Sequence, residues 1–146
     1  MQREIKFRVW NKVWKCMYYL TGLSFIGKKH IQLYYTDSDD DRTTCTVLLE
    51  NIELMQYTGL HDKNGIGIYE GDIVRFKEII YEDCRKKKIV RKETEVMAVS
   101  YEHGTFGLKK SINSSRFKAF IWVGEDDELE VIGNIHESPE LLEVSE

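Results

Sequence analysis

The sequence predicts a mostly-β protein, a closed or nearly closed barrel or sandwich of short strands. Three observations predict this class: apolar and polar residues alternate over short runs, turn residues recur at about every eight to twelve positions, and helical periodicity is nearly absent. The chain holds 146 residues, with ten glycines and one proline. Many short strands joined by tight corners are typical of all-β barrels and sandwiches.

The chain opens with a predicted β-hairpin. In REIKFRVW, Ile5, Phe7 and Val9 alternate with charged residues, which is the period of a half-buried strand. The next strand, KCMYYL, is apolar on both faces, so we expect it to be covered on both sides. A loop bounded by Gly22 and Gly27 is predicted to follow, and then strands over IQLYY and TTCTVLLE.

The middle of the chain, YTGLHDKNGIGIYEGDIVRF, carries the clearest turn signals. Asn-Gly is the strongest short-range hairpin signal, because both residues tolerate positive φ. A second corner is predicted at EGD, where glycine supplies the backbone freedom of a sharp turn. The residues assigned to corners are Asn64, Gly65, Gly67, Gly71 and Asp72.

Beyond this stretch, the basic run CRKKK is predicted to form a hairpin tip between IVRFKEIIY and IVRKETEVMAVSYE. A helix over residues 82–92 is the alternative, but it lacks an apolar stripe. FKAFIWV is predicted to be a strand with Phe117, Ala119 and Ile121 on one face, and LEVIGNI to be the last strand. Pro139 then marks the start of a short helical turn.

Composition and charge predict a soluble domain of a reducing compartment. Cys16, Cys45 and Cys84 are an odd number without a CxxC pair, which favours a cytoplasm over a disulfide framework. Charged residues interrupt the opening of the chain, so no secretory leader is expected. Apolar runs fall short of the roughly 18 residues of a membrane span. The net charge of −4 gives little attraction to nucleic acid or anionic lipid.

The acidic run that starts at Asp37 resembles a calcium loop only superficially. An EF-hand loop needs glycine at its sixth position and glutamate at its twelfth, where this chain has Arg42 and Leu48. We therefore expect a solvated hairpin tip at Asp37–Asp41, without a metal.

No catalytic, cofactor-binding or metal-binding residue is assigned. The four histidines are scattered over different turns, and no pair of histidines or cysteines has the spacing of a metal site. The glycines of the middle stretch miss the dinucleotide-binding pattern. A nucleophile pair, Cys84 with His103 or Cys45 with His61, stays open, although nothing in the sequence favours either.

Two binding surfaces are candidates. The candidate nucleic-acid contacts are the basic run and the aromatic residue before it: Tyr81, Arg85, Lys86, Lys87 and Lys88. Acidic patches and the net charge count against them. The candidate protein interface consists of aromatic residues in the N-terminal hairpin that exceed what a small barrel interior holds: Trp10, Trp14, Tyr18 and Tyr19.

Three blocks carry a family resemblance. MQYTGLHDKNGIGIYEGDIV, with the opening REIKFRVWNKVWKCMYY and the closing VIGNIHESPELLE, resembles the YopX family of phage and prophage proteins. The resemblance implies an SH3-type small β-barrel and a phage or prophage origin, and it brings no catalytic residue. The motif positions are Tyr57, Thr58, Gly59, Leu60, Asp62, Gly65, Tyr69, Gly71 and Asp72. The region from about Tyr81 to Trp122 matches no motif of the family.

Together these observations predict an N-terminal β-hairpin region over residues 1–50, an SH3-like barrel over 51–136 and a C-terminal turn over 137–146. The predicted function is a non-enzymatic binding module in the cytoplasm of a bacterial host. It is expected to self-associate and to act through a host or phage protein, without a cofactor and without a membrane. The alternatives are a nucleic-acid-binding accessory protein that uses the basic tip and, with less support, a hydrolytic enzyme with an unrecognised site.

Overall fold

The structure is a computed structural model that describes residues 3–36, 42–111 and 113–143. Strands make up 60% of the described residues, so the predicted mostly-β class is confirmed. The chain divides into two compact units after Gly59, whereas the boundaries predicted from the sequence fall after residues 50 and 136. The predicted acidic tip at Asp37–Asp41 lies outside the described residues.

The first unit is built on an antiparallel sheet in the order β4-β3-β2-β1-β5. Its strands are β1 (Phe7–Asn11), β2 (Cys16–Ile26), β3 (His30–Thr36), β4 (Arg42–Leu48) and β5 (Ile52–His61). A 3-10 turn, Leu49–Asn51, joins β4 to β5. β5 continues past the division after Gly59, and the short strand β6 (Gly67–Tyr69) follows in the second unit.

The core of the first unit follows from the alternation seen in the sequence. Alternate strand residues point to one face, and this places Val9, Ile31, Leu33 and Ile52 together in a buried cluster. Half-buried apolar side chains close the cluster; they include Tyr18, Leu20, Cys45 and Val47.

Strand β2 is longer than predicted, because the segment from Gly22 to Ile26 is strand and not loop. The pairing register shifts between Leu20 and Gly22, which marks a β-bulge. A Cβ at Gly22 would lie 3.6 Å from Cδ2 of Tyr34, so the glycine lies close to a neighbouring ring. The prediction of a loop was wrong because a glycine in a bulge has the same local signature as a glycine in a turn.

The second unit contains a five-stranded antiparallel sheet in the order β10-β9-β8-β7-β11. Its strands are β7 (Asp72–Tyr81), β8 (Ile89–Glu102), β9 (Thr105–Lys109), β10 (Lys118–Ala119) and β11 (Glu128–Asn134). A four-residue helix, α1 (Glu140–Glu143), follows the single proline as predicted. The core cluster contains Ile68, Val74, Phe76, Met97, Val99 and Leu108.

The fold is mostly β, but within the described residues neither sheet closes into a barrel. The N-terminal hairpin is present as β1 and β2, which pair as the first two strands of a larger sheet. The SH3-type details of the prediction are not confirmed by this topology.

The predicted strand FKAFIWV is mostly not a strand. Only Lys118–Ala119 pairs with β9, and Phe120–Trp122 forms a 3-10 turn in which the amide of Val123 donates to the carbonyl of Phe120 at 3.0 Å. Phe120 packs against the core, whereas Ile121 and Trp122 are 83% and 75% exposed. The predicted alternation through Ile121 was wrong because the chain leaves the sheet after Ala119.

Candidate interaction surfaces

Asn11 builds the turn between β1 and β2. Its side chain is buried, and its Oδ1 atom accepts hydrogen bonds from the amides of Val13 and Trp14 at 3.0 and 2.9 Å. Its carbonyl also accepts from the amide of Lys15 at 2.7 Å, where φ is 53°. An Asx turn of this kind fixes the local backbone. The turn therefore holds the backbone of Trp14 in place while 63% of the residue stays exposed.

Trp14 forms one wall of a cavity of about 330 Å³ in the first unit, hereafter the Trp14 pocket. The apolar or partly apolar residues around it are Val13, Trp14, His30, Cys45, Val47 and Leu48. The amide of Leu49 donates to the carbonyl of Lys29 at 2.8 Å, so odd-numbered residues of this region bond to β3. The backbone groups of Thr46 and Leu48 therefore point away from β3, towards the outer edge of the sheet.

Three exposed lysines, hereafter the rim, neighbour residues that line the Trp14 pocket: Lys15, Lys28 and Lys29. Lys28 and Lys29 line an adjoining cavity of about 390 Å³ that shares Leu48 with the pocket and also includes Glu50. Lys15 lies in the turn directly after Trp14. Among the residues that the structure describes, none of these three lysines makes an ion pair. All three residues are exposed to solvent.

The four aromatic residues of the predicted interface do not form one surface. Tyr18 packs on the core face, with its ring centroid 4.7 Å from that of Tyr35. A hydrogen bond to Cys16, together with burial, raises the pKa of Tyr18 to about 12. Trp10 and Tyr19 lie on the opposite face of the hairpin, and Tyr19 is 58% exposed. Of the four, only Trp14 lines the pocket.

A second exposed apolar surface, hereafter the Trp122 knob, consists of Ile121 and Trp122. Phe120 anchors it in the core of the second unit. Asp127 fixes the chain that follows, because its carboxylate accepts from the amide of Gly124 at 2.7 Å and from the amide of Ile79 at 3.0 Å. Sequence reasoning missed this surface; the available signal was the abrupt change from FIWV to the acidic GEDDE.

The basic tip lies between β7 and β8, as predicted, and an acidic residue partly neutralises it. Oδ2 of Asp126 accepts a hydrogen bond from the hydroxyl of Tyr81 at 3.1 Å and lies 3.2 Å from Nζ of Lys86. The bond to Asp126 raises the pKa of Lys86, and the same bond lowers the pKa of Asp126. Arg85 lies 3.5 Å from Asp83. The remaining lysines of the tip, Lys87 and Lys88, are exposed.

Asp62 organises the turn that contains Asn64 and Gly65. Its Oδ1 atom accepts from the amides of Asn64 and Ile66, both at 2.9 Å, and its Oδ2 atom accepts from the amide of Val131 at 2.9 Å. Gly65 has φ of 82°, which suits its place at the corner. Burial raises the pKa of Asp62, but the backbone donors outweigh burial and the pKa is lowered.

The second predicted corner combines a local hydrogen bond with a bond to a distant strand. Gly71 has φ of 84°, and its amide donates to the carbonyl of Val99 at 2.9 Å. Asp72 is buried and accepts from the amide of Tyr69 at 2.8 Å. Gly67, assigned to a corner in the sequence, instead begins strand β6.

The reactive side chains are dispersed. Cys84 lies at the basic tip before β8 and His103 follows the end of β8, a strand of 14 residues. Such a strand spans roughly 45 Å, so these two do not form a nucleophile pair. Cys45 lies on β4 and lines the Trp14 pocket with His30. Within residues 3–36, 42–111 and 113–143, no three His, Cys, Asp or Glu side chains are placed to hold a metal ion.

Among the described residues, no helix has the length and hydropathy required to cross a lipid bilayer.

The chain is therefore β-rich and has two units. The glycine-containing corners predicted from the sequence, at Gly65 and Gly71, both lie in the second unit. The family model described as YopX protein matches residues 6–143, so the chain belongs to the YopX protein family. A search of curated proteins returns no match.

Two solved structures are similar to this chain. Protein EF1440 from Enterococcus faecalis is 26% identical, with a TM-score of 0.55, and the alignment covers 97% of this chain and 99% of that one. Protein yopX from Bacillus subtilis is 27% identical, with a TM-score of 0.56 and coverage of 93% and 96%. The resemblance predicted from the three sequence blocks is thereby confirmed.

Proposed function

We propose that this protein is a phage- or prophage-derived binding module without catalytic activity, which self-associates and acts through contacts with a protein in the cytoplasm of a bacterial host. Membership of the YopX family supports the proposed origin. An SH3-type arrangement of residues 51–136 belongs to the same proposal.

The observation that carries this proposal is the Trp14 pocket. Interfaces are enriched in tryptophan, and their strongest contributions come from aromatic side chains that fill pockets. Trp14 is exposed to 63% but held by a buried asparagine, so binding would cost little conformational entropy of the turn. At about 330 Å³ the pocket is at the lower limit of small-molecule sites. Its size suits one or two side chains of a protein partner.

Light scattering coupled to size exclusion tests self-association. At tens of micromolar we expect a mass above that of the 17.2 kDa chain. Trp14→Glu places a charge in the apolar pocket and is expected to return the mass to that of a monomer. The control is Ile5→Glu, because Ile5 is exposed to 60% but does not line the pocket. A wild-type protein that stays at the mass of one chain contradicts the proposal.

Nucleic-acid binding through the basic tip is the second candidate function. The exposed side chains of Lys87 and Lys88 support it, since cationic groups that follow a phosphate backbone provide affinity without sequence preference. The bonds of Asp126 to Tyr81 and Lys86 count against it, because they occupy the aromatic hydroxyl and one cation of the tip.

A further inference from the structure

We infer that the partner of the Trp14 pocket is a second copy of this chain, and that the Trp122 knob of one copy inserts into the Trp14 pocket of the next. This inference rests on the proposed self-association and names the two surfaces that form the contact. The two surfaces differ in shape, in sequence position and in charge.

The knob has the form of an inserting element. Ile121 and Trp122 are 83% and 75% exposed, and they are the two most exposed large apolar residues among those described. Phe120 anchors the 3-10 turn below them, and the bonds of Asp127 hold the chain after them. Two adjacent bulky side chains on a fixed base lose little freedom on binding and bury a large apolar area.

The pocket has the matching form of a receiving site. Its lining includes Val13, Val47 and Leu48 beside the indole of Trp14, so an inserted indole meets apolar carbon and an aromatic ring. Aromatic pairs in offset or edge-to-face contact add to the energy of burial. The outer edge of β4 at Thr46 also offers backbone groups to polar atoms that flank the knob.

The charges around the two surfaces are complementary. The knob is followed within a few residues by acidic side chains, of which the exposed ones are Glu125, Asp126 and Glu128. Lys86 bonds Asp126 and Lys63 lies 4.0 Å from Glu128, whereas Glu125 makes no ion pair among the described residues. The pocket rim carries Lys15, Lys28 and Lys29. Opposite potentials across an interface favour the correct pairing and speed association.

A contact between two different surfaces is heterologous, since each copy offers one knob and one pocket. Heterologous contacts form rings when the rotation closes and open chains when it does not. The inference therefore predicts that chains with a disabled knob and chains with a disabled pocket complement each other. A contact between two identical surfaces does not allow this complementation.

The test mixes two variants that differ from wild type at one tryptophan each. Trp14→Glu disables the pocket and keeps the knob, whereas Trp122→Glu disables the knob and keeps the pocket. Each variant alone is expected to run as a monomer of about 17.2 kDa. An equimolar mixture is expected to form a heterodimer of twice that mass and nothing larger, because one intact knob meets one intact pocket.

The outcomes separate the inference from the proposed function. If wild type and Trp122→Glu have the same oligomeric mass while Trp14→Glu is monomeric, self-association stands and the knob is not its partner. If both variants are monomeric and their mixture also stays monomeric, the contact is not heterologous and the inference is overturned. A monomeric wild type overturns both. Val90→Glu is the control for Trp122→Glu, since Val90 is exposed to 58% in the same unit.

Charge reversal gives a second measurement that leaves both tryptophans in place. Lys28→Glu with Lys29→Glu is expected to weaken self-association at least tenfold at low salt, and Glu125→Lys to weaken it less. A mixture of the two reversed chains is expected to regain part of the loss, because the reversed knob then faces the reversed rim. Unchanged association of the reversed rim at low salt contradicts the charge complementarity. Far-UV circular dichroism of every variant confirms that it is folded.

Discussion

Two turns of this protein use the same chemistry for different ends. At the β1–β2 turn, the Oδ1 atom of Asn11 accepts from two local amides, those of Val13 and Trp14. At the turn before β6, Asp62 accepts from the amides of Asn64 and Ile66 and also from that of Val131, a residue 69 positions away. The first turn presents an exposed indole, whereas the second joins two distant segments of one unit.

The difference explains why the most recognisable stretch of the sequence is not the best candidate for binding. The residues around Asp62 are occupied by the fold, since both carboxylate oxygens accept backbone bonds and Gly65 has positive φ. The turn around Asn11 satisfies its own backbone and leaves Trp14 without such a structural task. The sequence motif around Asp62 therefore marks a turn whose backbone needs particular residues. An exposed aromatic side chain on a fixed turn marks an interaction surface.

The largest effect is expected from Asp62→Ala. This change leaves three backbone amides without the carboxylate that accepts their hydrogen bonds. Bonds to a charged group contribute more than neutral ones, so we expect a loss of about 3–4 kcal/mol in the free energy of unfolding. Urea unfolding followed by circular dichroism measures it. Glu140→Ala, which removes an exposed carboxylate elsewhere in the second unit, is the control and should change stability little.

The dependence on pH sharpens this prediction. The pKa of Asp62 is lowered in the folded state, so its contribution is present above the ordinary aspartate pKa of about 3.9 and is lost as the pH falls through the folded value. Asp62→Asn keeps the shape and removes the charge. The stability difference between wild type and Asp62→Asn should therefore be full at pH 7 and shrink below about pH 4. A constant difference across that window contradicts the assignment.

A smaller effect is expected from Asn11→Ala. Two neutral hydrogen bonds to part-buried amides are lost, for a cost of about 1–2 kcal/mol. The turn that holds Trp14 also loosens, so self-association should weaken as well. Asn64→Ala is the matched control, because the side chain of Asn64 is exposed. Only the backbone N–H of Asn64, which the substitution keeps, donates to Asp62. If Asn11→Ala unfolds like wild type, the Asx turn is not what fixes Trp14.

Much of the fold could be predicted because its signals are local. Alternation placed Val9 in a strand, and the Asn64-Gly65 pair placed a corner with positive φ at Gly65. The closure of the sheets could not be predicted, since closure depends on pairing between distant strands and leaves no local pattern. Gly22 was misread for a related reason: the ring of Tyr34 that packs beside it lies on another strand.

The candidate surfaces were predictable only in part. Trp14 was named from the excess of aromatic residues, but the same argument included Tyr18, which packs in the core. The knob was missed because Phe120, Ile121 and Trp122 look alike in sequence, and only the chain's exit from the sheet decides which of them is buried. A run of apolar residues at the end of a short strand does not indicate which members face the core.

The smallest effect is expected from Asp126→Ala at the basic tip, where Asp126 bonds Lys86 and Tyr81. Asp126→Ala frees the Lys86 ammonium group to contact a phosphate of single-stranded DNA. The slope of the logarithm of the association constant against the logarithm of salt concentration should therefore become steeper by about 0.7. Replacing Arg85–Lys88 by serine should abolish the binding. Fluorescence anisotropy across a salt series measures both, with Glu140→Ala as a control that removes the same charge elsewhere. If the serine variant still binds DNA, the basic tip is not the binding site. If the slope is unchanged in Asp126→Ala, Asp126 does not keep Lys86 from the DNA.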